Sequence, residues 1–141
     1  MSVQVLLDAP QTAARDAAVR SMQLAQGGDG KAWLELFAED AVVQDPYGPS
    51  PMDPGGKGHR GKAAIKKFCA DNIRPGGIRF QIRQALCCGD ACVCVGTITT
   101  KTPEGKVGWC EIFNVYEVDS AGKITLLRSY WDFEAMMKSV F

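Results

Sequence analysis

An excess of charge of either sign is the first thing this sequence lacks. Sixteen Lys and Arg offset sixteen Asp and Glu over 141 residues, and no basic run or stripe stands out. Nucleic acid is therefore not an expected partner, and long-range steering of charged substrates is not an expected device. Long hydrophobic runs are missing as well, so no segment reaches membrane-spanning length and no membrane partner is expected. Met1–Pro10 carries only Val5-Leu6-Leu7, broken by Gln4 and Asp8, with no basic start and no small-residue cleavage site. That stretch reads as no secretory signal, and a cytoplasmic protein is the expectation. Histidine is reduced to His59 alone. It stands in a polar loop with no carboxylate or cysteine at catalytic spacing and reads as a surface histidine.

Cysteine is not scarce, but its pattern excludes more than it suggests. Four of the six crowd into the stretch from Cys87 to Cys94. Zinc needs thiolates converging tetrahedrally, and this spacing matches no common zinc pattern. Cys92 and Cys94 share one face of an apolar strand, where free cysteine behaves as a small hydrophobe. Without a secretory signal, disulfides are not expected either. Gly55-Gly56-Lys57-Gly58 lacks the spacing and the strand-to-helix setting of a phosphate loop. No metal and no cofactor are expected.

What is present fits one globular domain over residues 1–141, with 46% hydrophobic and 23% charged residues. Thr12 is placed to cap a helix running to about Gln26, which Gly27-Gly28 stops. Its inward stripe, Ala14, Ala18, Ser21 and Ala25, is unusually small-sided and leaves room beside it. Asp29 caps a short second helix that turns Trp33, Leu36 and Phe37 inward. Ala41–Asp45 is extended and halted by Pro46. Tyr47 to Gly61 reads as a long surface loop of the kind that often has a function. A third helix, about Lys62 to Ile73, buries Ile65, Phe68, Cys69 and Ile73.

After Pro75-Gly76-Gly77 the period changes to two, and turns at Gly89-Asp90, Pro103–Gly105 and Ser120–Gly122 separate four successive antiparallel strands. Helices followed by strands predict an α+β fold with the helices on one side of a sheet. In the third of these strands Cys110, Ile112, Asn114, Tyr116 and Val118 share a face. Asn114 is polar in that row and needs a partner if buried. Tyr130 has the outward parity. The tail, Phe133 to Phe141, either covers an apolar surface or joins a subunit interface.

The stretch Ala-Trp-Leu-Glu-Leu-Phe-Ala-Glu-Asp-Ala-Val-Val-Gln-Asp-Pro-Tyr-Gly, Ala32 to Gly48, resembles the helix-to-strand passage of bacterial ketosteroid isomerases. Gly61-Lys-Ala-Ala-Ile65 with Phe68 resembles their third helix, and Asp119 to Ile124 through Tyr130-Trp131 their last hairpin. The chain is also similar to the broader group that includes nuclear transport factor 2 and SnoaL-like polyketide cyclases. The resemblance implies a cone-shaped fold of three helices on a curved antiparallel sheet, a homodimer and an apolar pocket for a small steroid-like or polyketide-like ligand.

The resemblance also implies an activity: moving the double bond of a β,γ-unsaturated ketone into conjugation. Asp45 would be the proton-transferring base. In this family a tyrosine and a protonated aspartic acid hold the oxyanion. Asn114 falls at the aspartic acid and Ser21 at the tyrosine, so Ser21, Tyr116 or Tyr47 would supply the second donor. Cys69 falls where some members carry a supporting tyrosine. Trp131 falls at a pocket aromatic, with core packing as its alternative. A polyketide cyclase or dehydratase on the same scaffold, or a non-catalytic ligand-binding or dimerisation module, remain the alternatives.

Overall fold

A computed structural model describes residues 11–140. The Met1–Pro10 segment, read above as no secretory signal, and Phe141 of the tail lie outside the described residues. Helix α1, Ala13–Gly27, starts where the Thr12 hydroxyl accepts the Arg15 N–H at 3.1 Å. It ends at Gly28, whose φ of 76° closes the left-handed cap. The Asp29 carboxylate accepts the Ala32 N–H and starts α2, Gly30–Glu35. Strand β1, Phe37–Gln44, follows directly, then the two-residue β2, His59–Arg60, and α3, Lys62–Asn72. Strands β3 (Ile78–Cys88), β4 (Ala91–Lys101), β5 (Val107–Val118) and β6 (Ile124–Tyr130) form a meander, and α4, Phe133–Lys138, closes the chain. No helix among the described residues is long and apolar enough to cross a membrane.

The α+β class is as expected, with two corrections to its detail. The sheet has six strands in the order β2-β1-β6-β5-β4-β3 and is mixed, not antiparallel throughout, because β1 runs parallel to β6. The tail supplies a fourth helix, α4, whose Met136 is buried, so it covers an apolar surface.

The alternation in β3 breaks at Arg83, where a bulge shifts the register between Ile82 and Gln84. One extra residue flips the parity of everything after it, which is why Leu86 faces solvent while Ala85 faces in. Across the bulge stands Gly96, where a Cβ would sit 2.1 Å from the Gln81 carbonyl oxygen. On the inner face, the α1 stripe of Ala14, Ala18, Ser21 and Ala25 is buried, as is the whole row from Cys110 to Val118 in β5.

Candidate active site

Ser21 arrives on α1, Asp45 at the end of β1, Phe68 on α3, Asn114 and Tyr116 on β5, and all five line one inner chamber. Its remaining wall is largely apolar, with Trp33, Ile78, Phe80, Ile98, Ile112 and Leu127. The chamber is small, about 40 Å³. It adjoins an outer one of about 190 Å³ that shares Asp45, Phe68, Ile78 and Ile98 and is roofed by Met136 and Met137 of α4. Trp131 lines the outer chamber and not the inner one. Two expected pocket residues lie elsewhere. The Tyr47 ring is 51% exposed, stacked 5.2 Å from Tyr130 and beneath the Arg128 guanidinium. Cys69 faces α2, its thiol donating to the Gly30 carbonyl at 3.3 Å, because it is one position around the helix from Phe68.

Asp45 is partly buried and has no salt bridge among the described residues. Its Oδ1 accepts the Trp131 indole N–H at 2.6 Å, while Oδ2 has no hydrogen bond among the described residues. Burial pushes the carboxyl above the ordinary carboxylate range, and the Trp131 N–H and the nearby His59 pull it partly back. Trp131 is thus more than pocket lining, since it fixes one oxygen of Asp45 and leaves the other without a partner among the described residues. The family resemblance placed Trp131 at the pocket, and the sequence carried no sign of this bond.

Ser21 and Tyr116 form one unit. The Ser21 hydroxyl oxygen accepts the Trp33 indole N–H at 3.0 Å and the Tyr116 phenol O–H at 3.2 Å. A hydroxyl has two acceptor sites and one proton, so with both lone pairs used only its own O–H remains to be given. Burial holds the Tyr116 phenol far above its usual range, hence neutral and a donor. Asn114 is fixed from the other side, because its Oδ1 accepts the Ser129 hydroxyl at 2.6 Å. In this orientation Nδ2 has no protein acceptor among the described residues. Its two N–H donors are free for a group in the chamber.

His59 corrects the reading of a surface histidine. Its ring lies on Phe68 with centroids 4.9 Å apart, and Nε2 is buried without a hydrogen-bond partner. A paired strand at the end of the loop turns the side chain inward, and a run of Pro and Gly gave no sign of two paired residues. Among the described residues no cluster of His, Cys, Asp and Glu could hold a metal ion, and Cys69, Cys87, Cys88, Cys92, Cys94 and Cys110 are free thiols.

The same arrangement of helices and sheet occurs in several solved structures. A Δ5-3-ketosteroid isomerase from Mycobacterium sp. is 32% identical, with a TM-score of 0.81 over 93% of this chain and 98% of that one. RV0760c from Mycobacterium tuberculosis, solved in complex with estradiol-17β-hemisuccinate, is 26% identical, with a TM-score of 0.81 over 93% and 99% of the two chains. A computationally designed 17-OHP binder is 25% identical, with a TM-score of 0.79 over 93% and 97%. The sequence profile of the SnoaL-like domain matches residues 18–127, from within α1 into β6, and so takes in Ser21, Asp45, Asn114 and Tyr116. With most of its length matched in sequence and nearly all of it in structure, the chain belongs to the SnoaL-like domain family and has the nuclear transport factor 2-like fold of a ketosteroid isomerase.

Proposed function

We propose that the protein is a cofactor-independent isomerase that moves the double bond of a β,γ-unsaturated ketone into conjugation. The observation that carries this reading is Asp45 at the wall of an apolar chamber, with one oxygen held by Trp131 and, among the described residues, no salt bridge and no partner for the other oxygen. Burial raises its proton affinity toward the range useful for general base catalysis, and a single carboxyl at such a site needs no metal for this chemistry.

The step balances within the substrate. Asp45 Oδ2 takes a proton from the carbon between the carbonyl and the double bond, and the electron pair flows to the carbonyl oxygen as a dienolate. The same proton is returned from Oδ2 at the γ-carbon, and the carbonyl reforms. Negative charge on the oxygen is met by Asn114 Nδ2–H and by the Ser21 O–H. Tyr116 and Trp33 both donate to the Ser21 oxygen, which draws electron density from its O–H and makes it a better donor. Ser21 thus takes the part of the family tyrosine, with Tyr116 as the phenol behind it.

An apolar, flat substrate suits the wall residues, and relatives that bind estradiol-17β-hemisuccinate or 17-OHP support a steroid-like class. Pockets for such molecules run to about 300–1,000 Å³. The inner chamber alone is too small, so the ligand spans both chambers and displaces Met136 and Met137 of α4 at the outer one.

The test is conjugated-enone absorbance during incubation with a β,γ-unsaturated 3-ketosteroid, for wild type and Asp45→Asn. Turnover is expected in wild type and a fall of about 100- to 10,000-fold in the variant. Affinity for a planar phenol resembling the dienolate should hold or improve, because a repelling carboxylate is gone. Turnover that survives the substitution, or a wild type with neither turnover nor phenol binding, rejects the reading.

A further inference from the structure

The loop after β1 returns to the sheet as β2, and the register of that short pair decides where His59 points. His59 lies opposite Val43, and Arg60 opposite Val42, in an antiparallel pairing. Directly opposed residues share a face of the sheet, as do residues two apart along one strand. Val43 is fully buried on the inner face. His59 and Val43 therefore share that face, and Asp45, one residue past the end of β1, lines the chamber on it. The imidazole stands near enough for its charge to act on the carboxyl.

The surroundings narrow what His59 can be for. Its ring packs on Phe68, the side chain that lines both chambers with Asp45. Its buried Nε2 has no partner, a costly arrangement that calls for an explanation. On its outer side the ring borders a groove with Lys67 and Asp71 of α3, and Arg60 beside it in the chain is exposed. Facing Asp45 from the other elements are the Trp131 N–H and, on β5, the Cys110 thiol and Tyr116 phenol, whose ionisation the Asp45 charge opposes. None of these is a cation. His59 is the group whose field favours the charged form of Asp45.

We propose that His59 is a positioning residue for Asp45, the inward-facing imidazole whose positive form keeps the neighbouring carboxylate charged and ready to accept a proton. The last step, readiness for catalysis, rests on Asp45 being the base. The electrostatic pairing does not.

Trp131 supplies a reporter that needs no substrate. Its N–H donates to Asp45, so its indole 15N–1H resonance follows the carboxyl's charge, and Asp45→Asn identifies it among the three tryptophans of the chain. In His59→Gln the midpoint of that titration is expected at higher pH than in wild type, since a lost positive neighbour favours the neutral acid. His59→Lys, which restores a cation, should bring it back. Identical midpoints in wild type and His59→Gln overturn the proposal.

Should His59→Gln fail to fold, the reciprocal measurement decides. Linkage requires that Asp45→Asn move the titration of the single histidine ring to lower pH by the same amount. A histidine that titrates identically in both proteins overturns the pairing. Coupled titrations without enone formation would keep the pairing and reject the isomerase reading, and turnover with uncoupled titrations would do the reverse.

Discussion

Replacing Ser21 with alanine tests the donor unit at its centre. The Ser21 oxygen, 1% exposed with its residue, accepts the Trp33 and Tyr116 hydrogens at 3.0 and 3.2 Å. Alanine removes the shared acceptor and leaves both buried donors empty. Each unsatisfied group costs about 1–3 kcal/mol, so the full penalty is about 2–6 kcal/mol. The adjoining chamber is large enough to admit a water, which needs about 10–15 Å³ of such space, and that relief favours the lower half of the range.

A loss of about 2–4 kcal/mol is therefore expected in urea or thermal unfolding. At about 3 °C per kcal/mol for a chain of this size, that lowers Tm by about 6–12 °C. The double variant with Tyr116→Phe supplies the control. Phenylalanine has no hydroxyl to strand, so Ser21→Ala should cost less in that background, with a coupling of about 0.5–3 kcal/mol. A Ser21→Ala loss below about 0.5 kcal/mol that adds simply to Tyr116→Phe would show that the hydrogens go elsewhere. It would also remove Ser21 as the second oxyanion donor, whose loss should otherwise slow turnover by about 100- to 1,000-fold.

Asp45 should show the opposite sign in stability. Burial raises its folded-state carboxyl above the ordinary aspartate value, so its stabilising contribution is present below that ordinary value and is lost as pH rises through the folded value. Asp45→Asn, which cannot ionise, should melt higher than wild type at pH 7, and the gap should close toward pH 3; equal melting at both would contradict the raised carboxyl. The outward faces of β5 and β6 carry Trp109, Phe113 and Tyr130 at 50%, 49% and 42% exposure, a patch suited to pairing with a second copy. Sedimentation should give a dimer that Phe113→Glu dissociates, and a monomeric wild-type mass would refute this. Dialysis against a chelator should leave Tm unchanged, because Cys69, Cys92, Cys94 and Cys110 are buried thiols of the core and no cluster among the described residues could hold a metal; loss of folding would reveal a structural metal.

Much of the site was legible because facing is a local property. The β5 row from Cys110 to Val118 keeps one parity without interruption, so Asn114 and Tyr116 could be placed together from sequence. The small-sided stripe of α1 likewise put Ser21 beside open space. Pairing is not local, and that is where the reading failed. Nothing in Phe37–Gln44 announces a parallel partner eighty residues on. The bulge at Arg83 cannot be told from ordinary alternation until Leu86 is seen in solvent. His59 and Tyr47 were misplaced for one reason: both lie in a stretch whose Pro and Gly content describes a loop but not its return to the sheet. Cys69 shows the limit of carrying a family position across, since one helical step from Phe68 turned it from the chamber to α2.

The bulge and Gly96 together limit how this scaffold could be reshaped. Strand β4 passes the Gln81 backbone so closely that any side chain at Gly96 would push the two strands apart. The bend of the sheet, and with it the height of the chamber, is therefore anchored at a position with no tolerance for variation. Changes in ligand preference would have to come from the movable walls: the small stripe of α1, Phe68, and the methionines of α4. Thioethers adapt to many shapes. A rigid floor beneath an adjustable roof lets one backbone host a succession of differently shaped ligands without being rebuilt.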